Sequence, residues 1–134
     1  MNYEDNKIFK QFKFNQDLKN TLEDIKNIEN EIKMKFPKEY VDFMLFSNGG
    51  FGNIGDEYLD IWILEDLADF YEECCDCGLN NIVVFGSNGA GVGYAFYKDN
   101  FQIVSIPMDS LESEYIVESS ENLVEFFEYL YNLK

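Results

Sequence analysis

The spacing of apolar residues changes period along this chain, and the order of those changes restricts the folds open to it. Leu18, Leu22, Ile25, Ile28 and Ile32 recur every three or four positions with Lys and Glu between them, which predicts an amphipathic helix over 17–34. Phe36-Pro37 interrupts that stripe. Pro37 suits the first position of a second helix, whose inner side would carry Tyr40, Phe43, Met44 and Phe46. Asn48-Gly49-Gly50 then predicts its stop, because Asn and Gly accept the left-handed backbone of a C-cap.

Beyond that point the period shortens. Leu59, Ile61 and Ile63 alternate within 58–64, predicting a strand with Trp62 on its other face. Residues 65–77 read as a helix with acids in the first turn and Gly78 as its stop. Ile82-Val83-Val84-Phe85 is a buried-strand run, 92–97 the returning strand, and 102–106 a third, with turns at 87–91 and 98–100. Tyr115-Ile116-Val117 reads as a short strand. A last helix follows, with Ser119 or Ser120 as N-cap and Leu123, Phe127, Leu130 and Tyr131 as its core face. Ahead of everything, residues 7–14 are basic and aromatic and fit either a short strand or a docked arm. Two helices, then strands with one inserted helix, then a helix, is the order of an α+β fold with a largely antiparallel sheet. The chain reads as a single domain, 1–134, with 1–16 as an arm and 17–134 as its core.

At 134 residues, 46% hydrophobic and 17% aromatic, the chain has enough large side chains to offset the entropy of folding. Its charge is unevenly placed. Residues 1–40 balance eight Lys against eight Asp/Glu, whereas 41–134 hold only Lys98 and Lys134 against eighteen acids. The whole excess of −16 therefore lies beyond Tyr40. Such a surface repels nucleic acid and anionic membrane and attracts basic proteins. No apolar run approaches the ~20 residues of a membrane span. The acidic start, Met1-Asn2-Tyr3-Glu4-Asp5, is unlike a secretory leader. Cys74, Cys75 and Cys77 are odd in number and too close together for a disulfide framework, which points to a reducing cytoplasm.

The missing residue types exclude chemistry. The chain has no His and its ten basic residues are all Lys. Ser-His-Asp and Cys-His nucleophile arrangements are therefore closed to it, as is bidentate Arg recognition of phosphate. Gly86-Ser-Asn-Gly89-Ala-Gly91-Val-Gly93 invites a phosphate-cradle reading, but no Gly-Lys-Ser/Thr opens a helix and the glycines run into a strand, so a hairpin turn fits better. Cys74-Cys75-x-Cys77 lacks the partner ligands of a closed zinc site and reads as thiols at a helix end. The acid pairs near Asp56-Glu57-Asp60 or Glu112 and Glu114 are expected by chance at this density. Trp62 reads as a sheet-face aromatic, with a contact role at an interface as the other reading.

Several segments match a known family in order. Phe36-Pro37-Lys38-Glu39-Tyr40-Val41-Asp42-Phe43-Met44 followed by Ser47-Asn48-Gly49-Gly50 resembles the "L-P-x-x-Y-x-x-F-L…N-G-G" segment of the SUKH superfamily, the fungal cell-wall-regulator homology group. Leu59-Asp60-Ile61-Trp62 with Leu64-Glu65-Asp66-Leu67 is similar to its strand and acidic helix start, and Ile82–Gly89 to its strand-turn unit. Val104 to Leu111 and 119–131 resemble its closing segments, so the likeness spans 25–134. Departures are Phe36 where Leu is usual, the clustered cysteines and the N-terminal arm.

The resemblance implies a non-enzymatic domain of a family whose bacterial members are mostly immunity proteins that bind and neutralise toxins, often nucleases. It carries over no catalytic residue, metal or cofactor. The motif residues Asn48, Gly49, Gly50, Gly86 and Gly89 are expected in turns. The expected partner is a basic protein toxin, met in the cytoplasm by a monomer or weak dimer. Candidate contacts are Asp56, Glu57, Asp60, Asp99, Glu112 and Glu114, on expected turns and strand ends. The alternatives are a regulatory scaffold domain, which would bind housekeeping proteins, and a carboxylate- or metal-dependent enzyme, which divalent ions would stabilise.

Overall fold

The computed structural model describes residues 2–133. Its seven strands form one sheet in chain order, every neighbouring pair antiparallel. They are β1 (Gln11–Phe14), β2 (Gly50–Ile54), β3 (Glu57–Ile61), β4 (Ile82–Ser87), β5 (Val92–Tyr97), β6 (Ile103–Pro107) and β7 (Val117–Ser120). Helices α1 (Leu22–Ile32) and α2 (Lys38–Phe46) lie between β1 and β2, α3 (Leu64–Asp76) between β3 and β4, and α4 (Leu123–Asn132) closes the chain. This is the expected α+β arrangement.

Local chemistry sets the helix ends and moves four of them from their expected places. Helix α1 starts at Leu22, not near 17, because Thr21 and Asp24 form a reciprocal capping box: Thr21 Oγ1 accepts from Asp24 N (3.1 Å) and Asp24 Oδ2 accepts from Thr21 N (2.8 Å). Leu18 is consequently outside the stripe and 79% exposed. Pro37 is the N-cap of α2 and not its first helical residue; its ψ of 149° is extended, and its carbonyl accepts from Tyr40 and Val41. Helix α2 ends on an extended Ser47, so Asn48-Gly49-Gly50 turns the chain into β2 without forming a left-handed C-cap. Ser119 and Ser120 belong to β7, and Asn122 caps α4 by accepting from Glu125 N at 2.9 Å.

Strand β2 has no counterpart in the apolar pattern, since Gly50-Phe51-Gly52-Asn53-Ile54 reads as a turn. Its glycines are needed because β1 passes close: a Cβ on Gly50 would lie 2.6 Å from the Phe12 ring. The basic-aromatic segment is both strand and docked arm. A 3₁₀ turn (Lys7–Phe9) precedes β1, and Tyr3, Ile8, Phe9 and Phe12 are buried in the main core.

Strand β4 is buried on both faces and separates two apolar clusters. Val83 and Phe85 join the large one with Phe43, Phe96, Phe126 and Phe127, whereas Ile82 and Val84 join the smaller one with Cys74, Ala95 and Ile106. That is the period-two alternation of a central strand. Phe85 stacks on Phe96 at 4.5 Å and Phe9 meets Phe127 edge-on at 4.9 Å. Such pairs add about 0.5–1.5 kcal/mol each beyond their burial.

Candidate protein-binding surface

The junction that orients α3 begins at Ser47 and Asn48. Ser47 Oγ accepts from Asn15 N (2.8 Å) and donates to Gly49 O (2.5 Å), so this fully buried hydroxyl is satisfied in both directions. Asn48 Oδ1 accepts from Asn20 Nδ2 (3.0 Å) and from the backbone N of Leu64 (3.1 Å). Ile63, at the N-cap of α3, has no capping side chain, so Asn48 takes that role from sixteen residues upstream. The segment thus joins the arm, the end of α2 and the start of α3.

With its N-terminus held there, α3 turns Leu64, Leu67 and Cys74 inward. Asp66, Asp69, Phe70 and Glu73, spaced i, i+3, i+4 and i+7, fall on one other face. That face meets the end of β3. Asp60, Trp62, Asp66, Asp69, Phe70 and Glu73 line an open groove of 420 Å³. Trp62 is half-buried and meets Phe70 edge-on at 5.2 Å, with its indole left as a groove wall. Phe51, 47% exposed and directly opposite Asp60 in the β2–β3 register, extends the aromatic surface into an adjoining 340 Å³ hollow that shares Asp60, Trp62 and Asp66. Leu59 and Ile61 point into the core, so Asp60 projects from the opposite side of the sheet. Burial, then repulsion from Asp66, pushes the Asp60 carboxyl above its ordinary value. At the rim Lys13 Nζ sits 5.9 Å from the Phe51 ring centre.

Of the six acids chosen from the sequence, only Asp60 lies in this groove. Exposed Asp56 and half-buried Glu57 occupy the β2–β3 turn, and exposed Glu112 and Glu114 the β6–β7 connection. Both connections are at the same end of the sheet by the antiparallel order, whereas exposed Asp99 is in the β5–β6 turn at the other end. Asp66, Asp69 and Glu73 were legible only as one face of the expected 65–77 helix. Trp62 is both half-buried and a surface wall.

Of the motif residues expected in turns, Gly50 instead opens β2 and Gly86 lies within β4, each where a neighbouring strand passes close, and only residues 88–91 of the glycine-rich segment connect β4 and β5. There Asn88 Oδ1 accepts from Ala90 N (2.8 Å) and Val92 N (3.0 Å), which holds the turn closed. Gly89 (φ 71°) packs on the Tyr58 ring, Gly49 (φ 75°) lies against the backbone of 61–63, and Gly86 faces the Asp60 carbonyl. Cys74 is buried, Cys75 half-buried and Cys77 exposed at the end of α3. Burial pushes the Cys74 thiol up to about 12. Among the described residues no group of three His, Cys, Asp or Glu is placed to hold a metal ion. Lys98 is spent on structure: its Nζ donates to Ile32 O at the end of α1 (2.7 Å) and bonds the Tyr71 hydroxyl. No helix among the described residues is long and apolar enough to cross a membrane.

No curated protein matches this chain. Residues 19–129 match the family model described as SMI1 / KNR4 family (SUKH-1), which begins six residues earlier and ends five earlier than the resemblance read from the sequence. That match takes in α1 through most of α4, including Asn48 and the whole Trp62 groove. With well over half its length covered, the chain belongs to the SMI1/KNR4 family (SUKH-1).

Proposed function

We propose that this protein is a cytoplasmic immunity protein, without catalysis of its own, that neutralises a cognate basic toxin domain of nuclease type. The observation that carries this reading is the groove in which Trp62 and Phe70 stand among Asp60, Asp66, Asp69 and Glu73. A nuclease holds phosphates with Lys and Arg, and an acidic surface competes for those cations. Exposed carboxylates alone bring speed more than affinity: steering raises association to about 10⁸–10⁹ M⁻¹s⁻¹ at low salt. Aromatic anchors supply what charge does not, because they bury apolar area and their faces attract Lys and Arg. The protein acts as a monomer, since pairing two such surfaces would set like charges against each other.

This reading expects a secreted protein with a variable C-terminal domain to be encoded beside this gene, and that domain is the toxin to test. Binding of that domain is to be followed kinetically from about 50 to 500 mM salt, which takes the screening length from about 14 to about 4 Å. Association should slow steeply with salt, and Trp62→Ala should raise Kd by about a hundredfold, the ~2–4 kcal/mol of an interface anchor. Salt-independent association would remove the electrostatic part of the reading. Full protection by a Trp62→Ala/Asp66→Lys variant would remove this groove from the interface.

A further inference from the structure

The two edges of the sheet are finished differently. Strand β1 carries Lys13, with Lys10 immediately before it, the charged residues that commonly keep an edge from accepting another strand. Strand β7, Val117-Glu118-Ser119-Ser120, has neither Lys nor Pro, and pairs with β6 alone. Its outer row of N–H and C=O groups faces away from the sheet. Three apolar side chains around it are exposed: Val117 at 61%, Tyr115 at 46% and Tyr129 on α4 at 48%. Beside the strand, against α4, lies a hollow of 620 Å³ whose lining includes Glu118, Ser120, Glu121, Glu125 and Tyr129.

We propose that β7 is a docking edge for an extended basic segment of a partner protein, which adds to the sheet as an eighth strand. Backbone pairing with β7 would supply part of the affinity, and alternate side chains of the incoming strand would reach the sheet face. A Lys or Arg among them finds in the hollow three carboxylates, from Glu118, Glu121 and Glu125, and the Tyr129 ring. Val117 and Tyr115 add exposed apolar area where the strand begins. The same carboxylates turn away a second copy of this chain, because two β7 edges brought together would oppose Glu118 to Glu118 or Glu121. The edge lies four strands from β3, about 19 Å across the sheet, so it is separate from the Trp62 groove and does not depend on the reading of that groove.

The test uses the full chain labelled with ¹⁵N and a capped hexapeptide alternating Lys with Val. A second peptide of the same sequence is N-methylated at alternate residues; it keeps every charge and side chain but cannot pair along one edge. Amide resonances of 115–121, 125 and 129 should shift with the first peptide, N-methylation should weaken binding at least about tenfold, and Glu118→Lys/Glu121→Lys should weaken it further. Equal binding of both peptides would overturn the proposal, leaving only charge attraction. So would shifts centred on 51–73 in place of 115–121, or no binding by about 1 mM, the range of the weakest specific contacts.

Discussion

The Tyr40 hydroxyl is fully buried and, among the described residues, is the one buried side-chain polar atom with no hydrogen-bond partner. Its ring is enclosed by aromatic neighbours, with Phe36 at 4.8 Å, Phe96 at 5.2 Å and Phe85 at 6.1 Å between centroids. Burial alone drives its ionisation far above the usual tyrosine range. Substituting Tyr40→Phe keeps the ring in place and removes the unpaired group. The desolvation cost relieved is about 1–3 kcal/mol. Against it stands the void left by one oxygen, on the order of 10 Å³, which costs about 0.2 kcal/mol at 24 cal/mol per Å³. The net expectation is a gain of about 1–3 kcal/mol, or about 3–10 °C in Tm for a domain of this size. Urea titration followed by tryptophan fluorescence, with calorimetry beside it, measures this directly, and the urea m-value should not change. A loss of about 1 kcal/mol or more at constant m would refute the reasoning, since it would mean that the hydroxyl is bonded in the native protein.

Three further outcomes follow from the same structure. Gly86→Ala should cost about 1–3 kcal/mol in denaturant titrations, because its Cβ would meet the Asp60 carbonyl across a β3–β4 ladder only two residue pairs long. Lys98→Met should cost about 1–2 kcal/mol by calorimetry, through the lost charge-assisted bond to Ile32 O. Stability should fall as pH rises above about 9, because Cys74 and Tyr71 are pushed up to about 12 from ordinary values of 9.0 and 10.0. There the unfolded chain releases protons that the folded chain retains, so fully buried Cys74 weakens folding by up to about 1.4 kcal/mol per pH unit, while the more exposed, solvent-screened Tyr71 adds less; Cys74→Ala should make the fall measurably shallower, and an unchanged slope would count against the assignment.

What the sequence showed depended on whether a local rule or a distant neighbour decided the outcome. Helix α3 was legible to within a residue or so because its acidic start and Gly78 stop are local. Strands β4 and β5 were legible because apolar runs flank a turn-forming segment. Strand β2 was not, since its glycines answer to the passage of β1, nearly forty residues away in sequence. The start of α4 was misplaced because Ser119 and Ser120 satisfy the same cap chemistry as Asn122, and only pairing with β6 assigns them to a strand. Most of the Trp62 groove was hidden for a related reason. Its acids are ordinary surface residues along the sequence, and the direction in which α3 leaves β3, held in part by the Asn48–Leu64 bond, is what sets them beside Trp62. Of the groove's residues only Asp60, as an acid at an expected strand end, and Trp62, as an aromatic with an interface reading, were singled out beforehand.

The strand order also gives the uneven charge a spatial meaning. A sheet whose strands run β1 to β7 in sequence converts position along the chain into position across the sheet. The Lys-bearing β1 edge and the Glu-bearing β7 edge therefore stand six strand spacings apart, up to about 29 Å at ~4.8 Å each. That is more than three screening lengths at physiological salt, about 8 Å each, so the two edges act on a partner independently. Within the acidic part, the one lysine of the described residues, Lys98, is held in place by Ile32 O and the Tyr71 hydroxyl. A cationic partner is thus drawn toward the acids of α3 and β7, and Lys13, at the rim of the Trp62 groove, disfavours approach to that groove from the β1 edge. The sixteen negative charges orient an encounter as well as strengthening it, because the β1 edge carries Lys10 and Lys13 and the β7 edge carries Glu118.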